Sequence, residues 1–133
     1  MNKLTVDGMR PTALGKHLIA DFYDASRLFE CAPAGEILRQ AALAAKATVL
    51  EVNMHDFGDR CGFTGVAVLA ESHISIHTWP ENDYAAIDIF MCGDAEPMRS
   101  LDVLRQYFTP GREQVDILQR GNMAQLALAA ASA

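Results

Sequence analysis

Hydrophobic and polar residues alternate along several short stretches of the chain, as they do in a strand that buries one face. The clearest case is residues 84–92, where Ile87 and Ile89 share one face and Asp88 and Cys92 share the other. Stretches of this kind are bounded by residues typical of turns. The pattern predicts strands over residues 16–23, 48–53, 64–69, 73–78, 84–92 and 114–118.

A different spacing, with apolar residues three and four positions apart, predicts two helices. One has Pro33 in its first turn and continues to Ala45, and the other runs from Pro97 to Phe108. The Ala-rich tail after Gly121 is predicted to be a loose helix. Strands that cluster without regular helices between them favour an α+β fold. We therefore predict a two-layer sandwich, with an antiparallel sheet covered on one face by two helices, in a single domain spanning residues 1–133.

Composition narrows the class of protein. The chain has 133 residues, half of them hydrophobic, and a formal net charge of −6. A domain of this size leaves much surface exposed, so a large site is expected to be shared with a second copy. Lysines and arginines occur singly, which disfavours a nucleic-acid surface. No signal peptide is recognisable and the apolar segment 126–133 is too short to span a bilayer, so we expect a cytoplasmic protein without a membrane partner.

Cysteines and histidines do not form a recognisable metal-binding motif. Cys31, Cys61 and Cys92 are irregularly spaced and include no C-x-x-C pair, so neither a disulfide framework nor a zinc site is expected. His73 and His77 are four positions apart on one predicted strand and could ligate a metal. No further His or Cys cluster lies near them in the sequence, and we expect no metal.

The run of residues 71–81 concentrates the potential chemistry of the chain. It holds two histidines, two carboxylates, two serines and the only tryptophan. The simplest interpretation is a half-buried strand with a solvated polar face. A conventional serine hydrolase is weakly supported, because Glu71-Ser72-His73 lacks the G-x-S-x-G context of a nucleophile elbow.

Another reaction fits the same residues. The Ser72 hydroxyl can attack the carbonyl of Glu71 and convert that peptide bond into an ester. Elimination at Ser72 then breaks the chain and leaves dehydroalanine, which hydrolyses to a pyruvoyl group. A strained turn at Glu71 and a nearby imidazole would favour these steps. A pyruvoyl ketone can bind a substrate amine and act as an electron sink.

Five segments in and around this run form recognisable motifs: AESHISIHTWPE at 70–81, YAAIDIFMCG at 84–93, LGKHL at 14–18, GFTG at 62–65 and Arg120-Gly121. Together they resemble the motifs of the bacterial and archaeal S-adenosylmethionine decarboxylase proenzymes. The resemblance implies a two-layer α+β fold and a pyruvoyl-dependent carboxy-lyase. Such an enzyme makes decarboxylated S-adenosylmethionine, the aminopropyl donor for spermidine and other polyamines, without a metal or a diffusible cofactor.

The resemblance also implies that the chain is a zymogen. Autocatalytic cleavage between Glu71 and Ser72 would give a β chain of residues 1–71 and an α chain of residues 72–133. Ser72 would become the pyruvoyl group, which forms a Schiff base with the substrate.

Further residues match positions with known roles in that family. His77 matches a histidine that transfers protons during processing, and Cys92 matches the cysteine that protonates the product carbanion. Thr64 falls where the family has a serine or threonine near the site, and Glu81 where it has a substrate-contacting glutamate. The family's protomers pair so that each site takes residues from both, which implies a homodimer of processed protomers.

One segment departs from the family pattern, which is His-x-Phe-x-Pro-x-Gly. Residues 55–62 read HDFGDRCG, with no proline and one extra residue. Phe57 is the aromatic expected to stack on the adenine. The segment also brings three charges, Asp56, Asp59 and Arg60. Two alternatives stay open: an arginine or ornithine decarboxylase on the same scaffold, and a non-catalytic dimer that binds a small molecule.

Overall fold

The elements follow one another as the sequence pattern predicts, with four consecutive strands between the first two helices. The structure is a computed structural model that describes residues 12–132. Its elements are β1 (Ala13–Tyr23), α1 (Cys31–Ala44), β2 (Val49–Asp56), β3 (Phe63–Leu69), β4 (Ser72–Trp79), a 3-10 turn (Pro80–Asn82), β5 (Tyr84–Cys92), α2 (Pro97–Phe108), β6 (Arg112–Asn122) and α3 (Met123–Ser132).

The six strands form one antiparallel sheet in the order β2-β3-β4-β5-β1-β6. Strands β2 to β5 follow as a meander, because short turns can join only antiparallel neighbours. Strand β1 then pairs with β5 and β6, which brings the start of the chain beside its later part. The predicted α+β fold with an antiparallel sheet is confirmed.

The alternation along the strands determines which face of the sheet is covered. Leu18, Ile74, Ile76 and Ile89 are fully buried on one face, which we call the core face. Helices α1 and α2 both pack against it, and each contributes apolar residues three and four positions apart. The opposite face, which we call the open face, carries the polar and aromatic alternates of the same strands.

Several strand ends differ from the sequence prediction. Strand β1 begins at Ala13, β2 continues to Asp56 and β6 extends to Asn122. These ends lack a strong apolar alternation, but each is paired with a neighbouring strand, and ladder hydrogen bonds fix the backbone where propensity does not.

The predicted helix in the tail is present as α3. The Asn122 side chain accepts a hydrogen bond from the Gln125 N–H at 3.0 Å, and an oxygen at this position stabilises the start of a helix. The predicted single domain of residues 1–133 also includes residues 1–11 and 133, which lie outside the described residues. Within the described part of the chain, no helix is long and apolar enough to cross a membrane.

Candidate active site

The peptide bond between Glu71 and Ser72 lies at the tight turn that joins β3 to β4. Leu69 pairs with Ser72 across the hairpin, so only Ala70 and Glu71 make the connection. Glu71 has a φ of 62°, in the left-handed region that costs a residue with a side chain roughly 1–2 kcal/mol. The turn therefore holds strain next to the bond that the family motif marks for cleavage.

The thiol of Cys92 contacts this junction from the neighbouring strand. Its Sγ donates a hydrogen bond to the Glu71 carbonyl oxygen at 3.2 Å. Burial raises the pKa of the Cys92 thiol, and the Glu71 carboxylate raises it further. The thiol thus keeps its proton at neutral pH and points it at an oxygen that would gain negative charge if its carbonyl were attacked. We call Glu71, Ser72 and Cys92 the junction group.

Thr64 and His77 form a second group, farther along the sheet. They are cross-strand partners on β3 and β4, and Thr64 Oγ1 lies 3.0 Å from His77 Nδ1. Because a strand rises about 3.3 Å per residue, His77 lies roughly 16 Å along β4 from Ser72. The structure therefore separates the predicted proton-transfer histidine from the predicted cleavage point within one chain.

An open cleft surrounds the second group. It brings together the four residues Thr64, His77, Glu81 and Phe57 that the sequence assigns to processing or to the substrate. We call these four the cleft group. The remaining lining residues are Phe29, Arg60, Cys61, Gly62, Thr78, Trp79, Pro80 and Asp83.

The segment that departs from the family pattern forms one wall of this cleft. The Arg60 guanidinium lies over the Phe29 ring, 4.2 Å from its centroid. Asp56 accepts a hydrogen bond from the Gly58 N–H at 2.9 Å and so stabilises the turn of its own loop. Of the three added charges, Arg60 is the one among the lining residues.

This wall is attached closely to the end of β4. A Cβ atom at Gly62 would lie 2.0 Å from the Thr78 carbonyl oxygen, so only glycine permits the approach. The buried Thr78 hydroxyl accepts a hydrogen bond from the Phe63 N–H at 2.9 Å and donates one to the Leu28 carbonyl at 2.6 Å. These contacts therefore fix the position of the loop relative to β4, the strand that carries His77.

A hydrogen-bonded cluster on the open face was missed by the sequence reasoning. Asp88 Oδ1 lies 2.7 Å from His17 Nε2 and 2.9 Å from His73 Nε2, while Asp88 Oδ2 accepts from the Ser75 hydroxyl. Partial burial raises the pKa of Asp88, but the bonds from Ser75, His17 and His73 lower it overall. Alternation placed His73, Ser75 and Asp88 on polar faces of their strands, but only the register shows that these faces meet.

The same cluster contains a set of atoms that could bind a metal. The ligand atoms of His17, His73 and Asp88 lie within 4.8 Å of one another. However, Arg120 Nη1 is 2.8 Å from His17 Nδ1, and a guanidinium can only donate. His17 Nδ1 must then accept, which leaves the ring proton on Nε2, the nitrogen that a metal would need. The arrangement favours a hydrogen-bonded cluster over a metal site. In it His73 shares Asp88 with His17, and His77 is not a member.

Comparison with known proteins shows which family this chain is similar to. The model of the S-adenosylmethionine decarboxylase family matches residues 16–121. The S-adenosylmethionine decarboxylase proenzyme of Methanococcus aeolicus is 42% identical over 115 residues, which cover 84% of this chain and 97% of that protein. The proenzyme of Prochlorococcus marinus is 43% identical over 119 residues, or 87% and 94% of the two chains.

A solved structure extends the agreement to the fold. The crystal structure of the adenosylmethionine decarboxylase from Aquifex aeolicus matches with a TM-score of 0.72 and 33% identity, over 84% of this chain and 93% of that one. The region matched by the family model, residues 16–121, includes every residue of the junction group and of the cleft group. The chain belongs to the S-adenosylmethionine decarboxylase family.

Proposed function

We propose that this protein is a self-processing, pyruvoyl-dependent decarboxylase that acts on S-adenosylmethionine and supplies the aminopropyl donor for polyamine synthesis. The observation that supports this most directly is the Cys92 thiol aimed at the Glu71 carbonyl oxygen in a strained turn. The relatives that share about two-fifths of its sequence carry the name of proenzymes for this reaction.

The junction group supplies the bond that breaks and the oxygen that attacks it, while the proton transfers of the cut are assigned to His77. The Ser72 oxygen would bond to the Glu71 carbonyl carbon, and the bond from that carbon to the Ser72 nitrogen would break, giving an ester. Cys92 would stabilise the charge that develops on the carbonyl oxygen. Loss of the Ser72 α-proton would then release the Glu71 carboxylate and leave dehydroalanine, which water converts to a pyruvoyl group with release of ammonia.

The residues fit such a group at position 72. It would lie at the first residue of β4, next to a protonated thiol. A pyruvoyl group supplies an electron sink for decarboxylation of an α-amino acid. Cys92 would return a proton to the substrate's Cα, and its raised pKa keeps that proton available. Glu81 and Phe57 would contact the nucleoside part of the substrate in the cleft.

The separation of the two groups supports a homodimer. One chain holds Ser72 and His77 roughly 16 Å apart along β4, too far for direct proton transfer. The open face carries Ile19, Val68 and Trp79, which are 38–40% exposed. A two-fold axis parallel to this face and perpendicular to β4 would bring the junction group of one protomer to the cleft group of its partner, because such an axis reverses the direction of the strand.

Intact-protein mass spectrometry and a carbon dioxide assay test the proposed function together. We expect two fragments that meet at Glu71 and Ser72, the second beginning with a pyruvoyl group. We also expect carbon dioxide release from S-adenosylmethionine and none from arginine or ornithine. An uncut chain from active expression would contradict self-processing, and turnover of arginine or ornithine alone would contradict the substrate.

Mixed dimers test whether each site combines residues of two protomers. Ser72→Ala and His77→Ala chains are each expected to remain largely uncut when expressed alone. When the two are co-expressed, a mixed dimer holds one complete site, made of the Ser72 of the His77→Ala chain and the His77 of its partner. We expect the His77→Ala chain to be cleaved in these dimers, as measured by mass spectrometry after tag-based isolation.

The control pairs Ser72→Ala with Cys92→Ala. Both substitutions lie in the junction group. One site of the mixed dimer therefore lacks Ser72 and the other lacks Cys92, so neither site is complete. We expect no more cleavage in this mixed dimer than in the two variants expressed separately. Absence of cleavage in isolated Ser72→Ala/His77→Ala dimers would show that His77 acts within its own chain, and would overturn the two-protomer site.

A further inference from the structure

We propose that Asp88 is a positioning residue, which holds the newly formed N-terminus of the α chain through His73 so that residue 72 stays beside Cys92. The inference rests on the proposed self-cleavage. It assigns a task to the cluster of His17, His73, Ser75, Asp88 and Arg120 on the open face, which the cleavage and decarboxylation steps leave without one.

Cleavage creates the need for such a holder. Before the cut, the turn at Ala70 and Glu71 connects Ser72 to β3 and limits its movement. After the cut, residue 72 is a chain end, and chain ends fray unless something holds them. Proton transfer from Cys92 requires the reacting atoms to stay within about an ångström of a productive position. A terminus that forms part of the catalytic group must therefore be fixed by its neighbours.

His73 is the first residue of the new chain whose side chain can do this. It lies directly after residue 72 and projects onto the open face. Its Nε2 is 2.9 Å from Asp88 Oδ1, and its ring stacks on Phe90 with centroids 5.9 Å apart and planes inclined by 27°. Phe90 is its cross-strand partner and stands two residues before Cys92 on β5. These contacts fix His73 relative to the strand that ends in Cys92.

Gly15 makes room for this stack. A Cβ atom there would lie 2.7 Å from the Phe90 ring, so the ring occupies the space that a side chain on β1 would fill. His17, the cross-strand partner of Phe90 on β1, packs edge-on against the same ring at 5.6 Å between centroids. Phe90 is thus held between two histidines that both bond to Asp88.

Asp88 is itself oriented by bonds from the two neighbouring strands, and β6 acts on it through His17. His17 on β1 bonds to Oδ1 at 2.7 Å, and Ser75 on β4 bonds to Oδ2. Arg120 on β6 contacts His17 Nδ1 at 2.8 Å and so sets the tautomer that points a proton at the carboxylate. With both oxygens engaged, the carboxylate has little freedom to rotate and can serve as a fixed anchor for His73.

Asp88→Ala removes the anchor and tests the inference. We expect the chain to be cleaved still, because the junction group is intact. In the cleaved enzyme we expect kcat to fall by about 10²-fold with little change in KM, the size of effect that a small misplacement produces. Hydrogen–deuterium exchange should become faster in the peptide that starts at residue 72, with exchange in α1 unchanged.

A chemical readout separates positioning from a general loss of active protein. After carbon dioxide leaves, the proton belongs on the substrate's Cα. If it reaches the carbon of residue 72 instead, hydrolysis releases an aldehyde in place of the amine and leaves an alanyl terminus, with no oxidant required. We expect Asp88→Ala to form alanyl-terminated α chains after fewer turnovers than the wild type, as counted by mass spectrometry. Partial unfolding would lower the rate without changing this ratio.

Two further variants sharpen the test. Asp88→Asn keeps an oxygen that can accept from both histidines, so it should restore most of the wild-type ratio and exchange rate. Asp116→Asn removes the same charge from β6, two strands away from Asp88, and should behave like the wild type. Should Asp88→Ala fail to fold, His73→Leu removes the same bond while it keeps apolar bulk on Phe90, and the same result is expected.

The outcomes are distinct. The inference would be overturned if Asp88→Ala or His73→Leu showed the wild-type rate of hydrogen–deuterium exchange and the wild-type number of turnovers per alanyl terminus. It would also be overturned if Asp88→Asn were as impaired as Asp88→Ala, since the loss of charge alone would then be responsible. A wild-type protein that neither cleaves itself nor releases carbon dioxide would instead contradict the proposed function.

Discussion

Ser72→Ala is expected to leave the chain as a single uncut polypeptide of 133 residues without decarboxylase activity. Alanine has no oxygen to attack the Glu71 carbonyl, and its side chain cannot become the ketone of a pyruvoyl group. Both the cleavage and the later chemistry are lost together, so no second mutation can restore activity while position 72 is alanine. Intact mass and carbon dioxide release from S-adenosylmethionine measure the two losses.

The uncut variant keeps the strained turn but lacks the attacking hydroxyl. Glu71 is expected to keep its left-handed backbone in it, because the hairpin register fixes that conformation. Ser26→Ala is the control: it removes an exposed hydroxyl from the connection before α1 and should be cleaved and active like the wild type. Cleavage of Ser72→Ala at the same bond would contradict the proposed attack by the serine hydroxyl.

The fold was predictable because its strands have one buried face. Alternation from Tyr84 to Cys92 survives in the structure as alternating buried and half-buried side chains. The two helices were predictable for the same reason, since their buried residues recur at helical spacing. Strand ends such as Ala13 and Asn122 were not, because pairing with a neighbour decides them and the local sequence does not record it.

The site was predictable as a set of residues but not as an arrangement. The motif at residues 71–81 identified Ser72 and His77, yet only the rise of a strand shows how far apart they lie. The contact between Cys92 and Glu71 depends on the register of β4 and β5. The motif gives the identity of these residues, while the distances between them follow from the rise of a strand and from the pairing of the strands.

The contacts within the Asp88 cluster were also not predictable from the sequence. Its members are 15, 71 and 103 residues apart in the pairs that touch, namely His73 with Asp88, His17 with Asp88 and Arg120 with His17. His73 and His77 are near each other in the chain, but the contacts of His73 are with Asp88 and His17. The polar face of β5 was a usable signal, because a carboxylate on a half-buried strand requires hydrogen-bond donors.

The loop before β3 places Phe57 in the lining of the cleft. That Phe57 contacts the substrate stays a prediction. Of the charges that this loop adds, Asp56 bonds within its own loop and Arg60 is the one among the lining residues.

Cys92→Ala is expected to separate the two stages of the reaction. Loss of the thiol removes the donor to the Glu71 carbonyl oxygen, so cleavage should be slower but should still proceed, because Ser72 and the strained turn remain. Decarboxylation should fall by about 10²–10⁴-fold, the usual contribution of a positioned proton donor. The rate of fragment formation and the carbon dioxide release of fully cleaved protein measure the stages independently.

Two substitutions make this comparison specific. Cys92→Ser keeps a donor for the Glu71 oxygen, so its cleavage should be faster than that of Cys92→Ala. Cys31→Ala removes a thiol buried at the start of α1, and should lower stability slightly without changing either rate. Decarboxylation at the wild-type rate in cleaved Cys92→Ala would exclude Cys92 as the proton donor. Equal cleavage rates in the alanine and serine variants would show that its contact with Glu71 does not assist the cut.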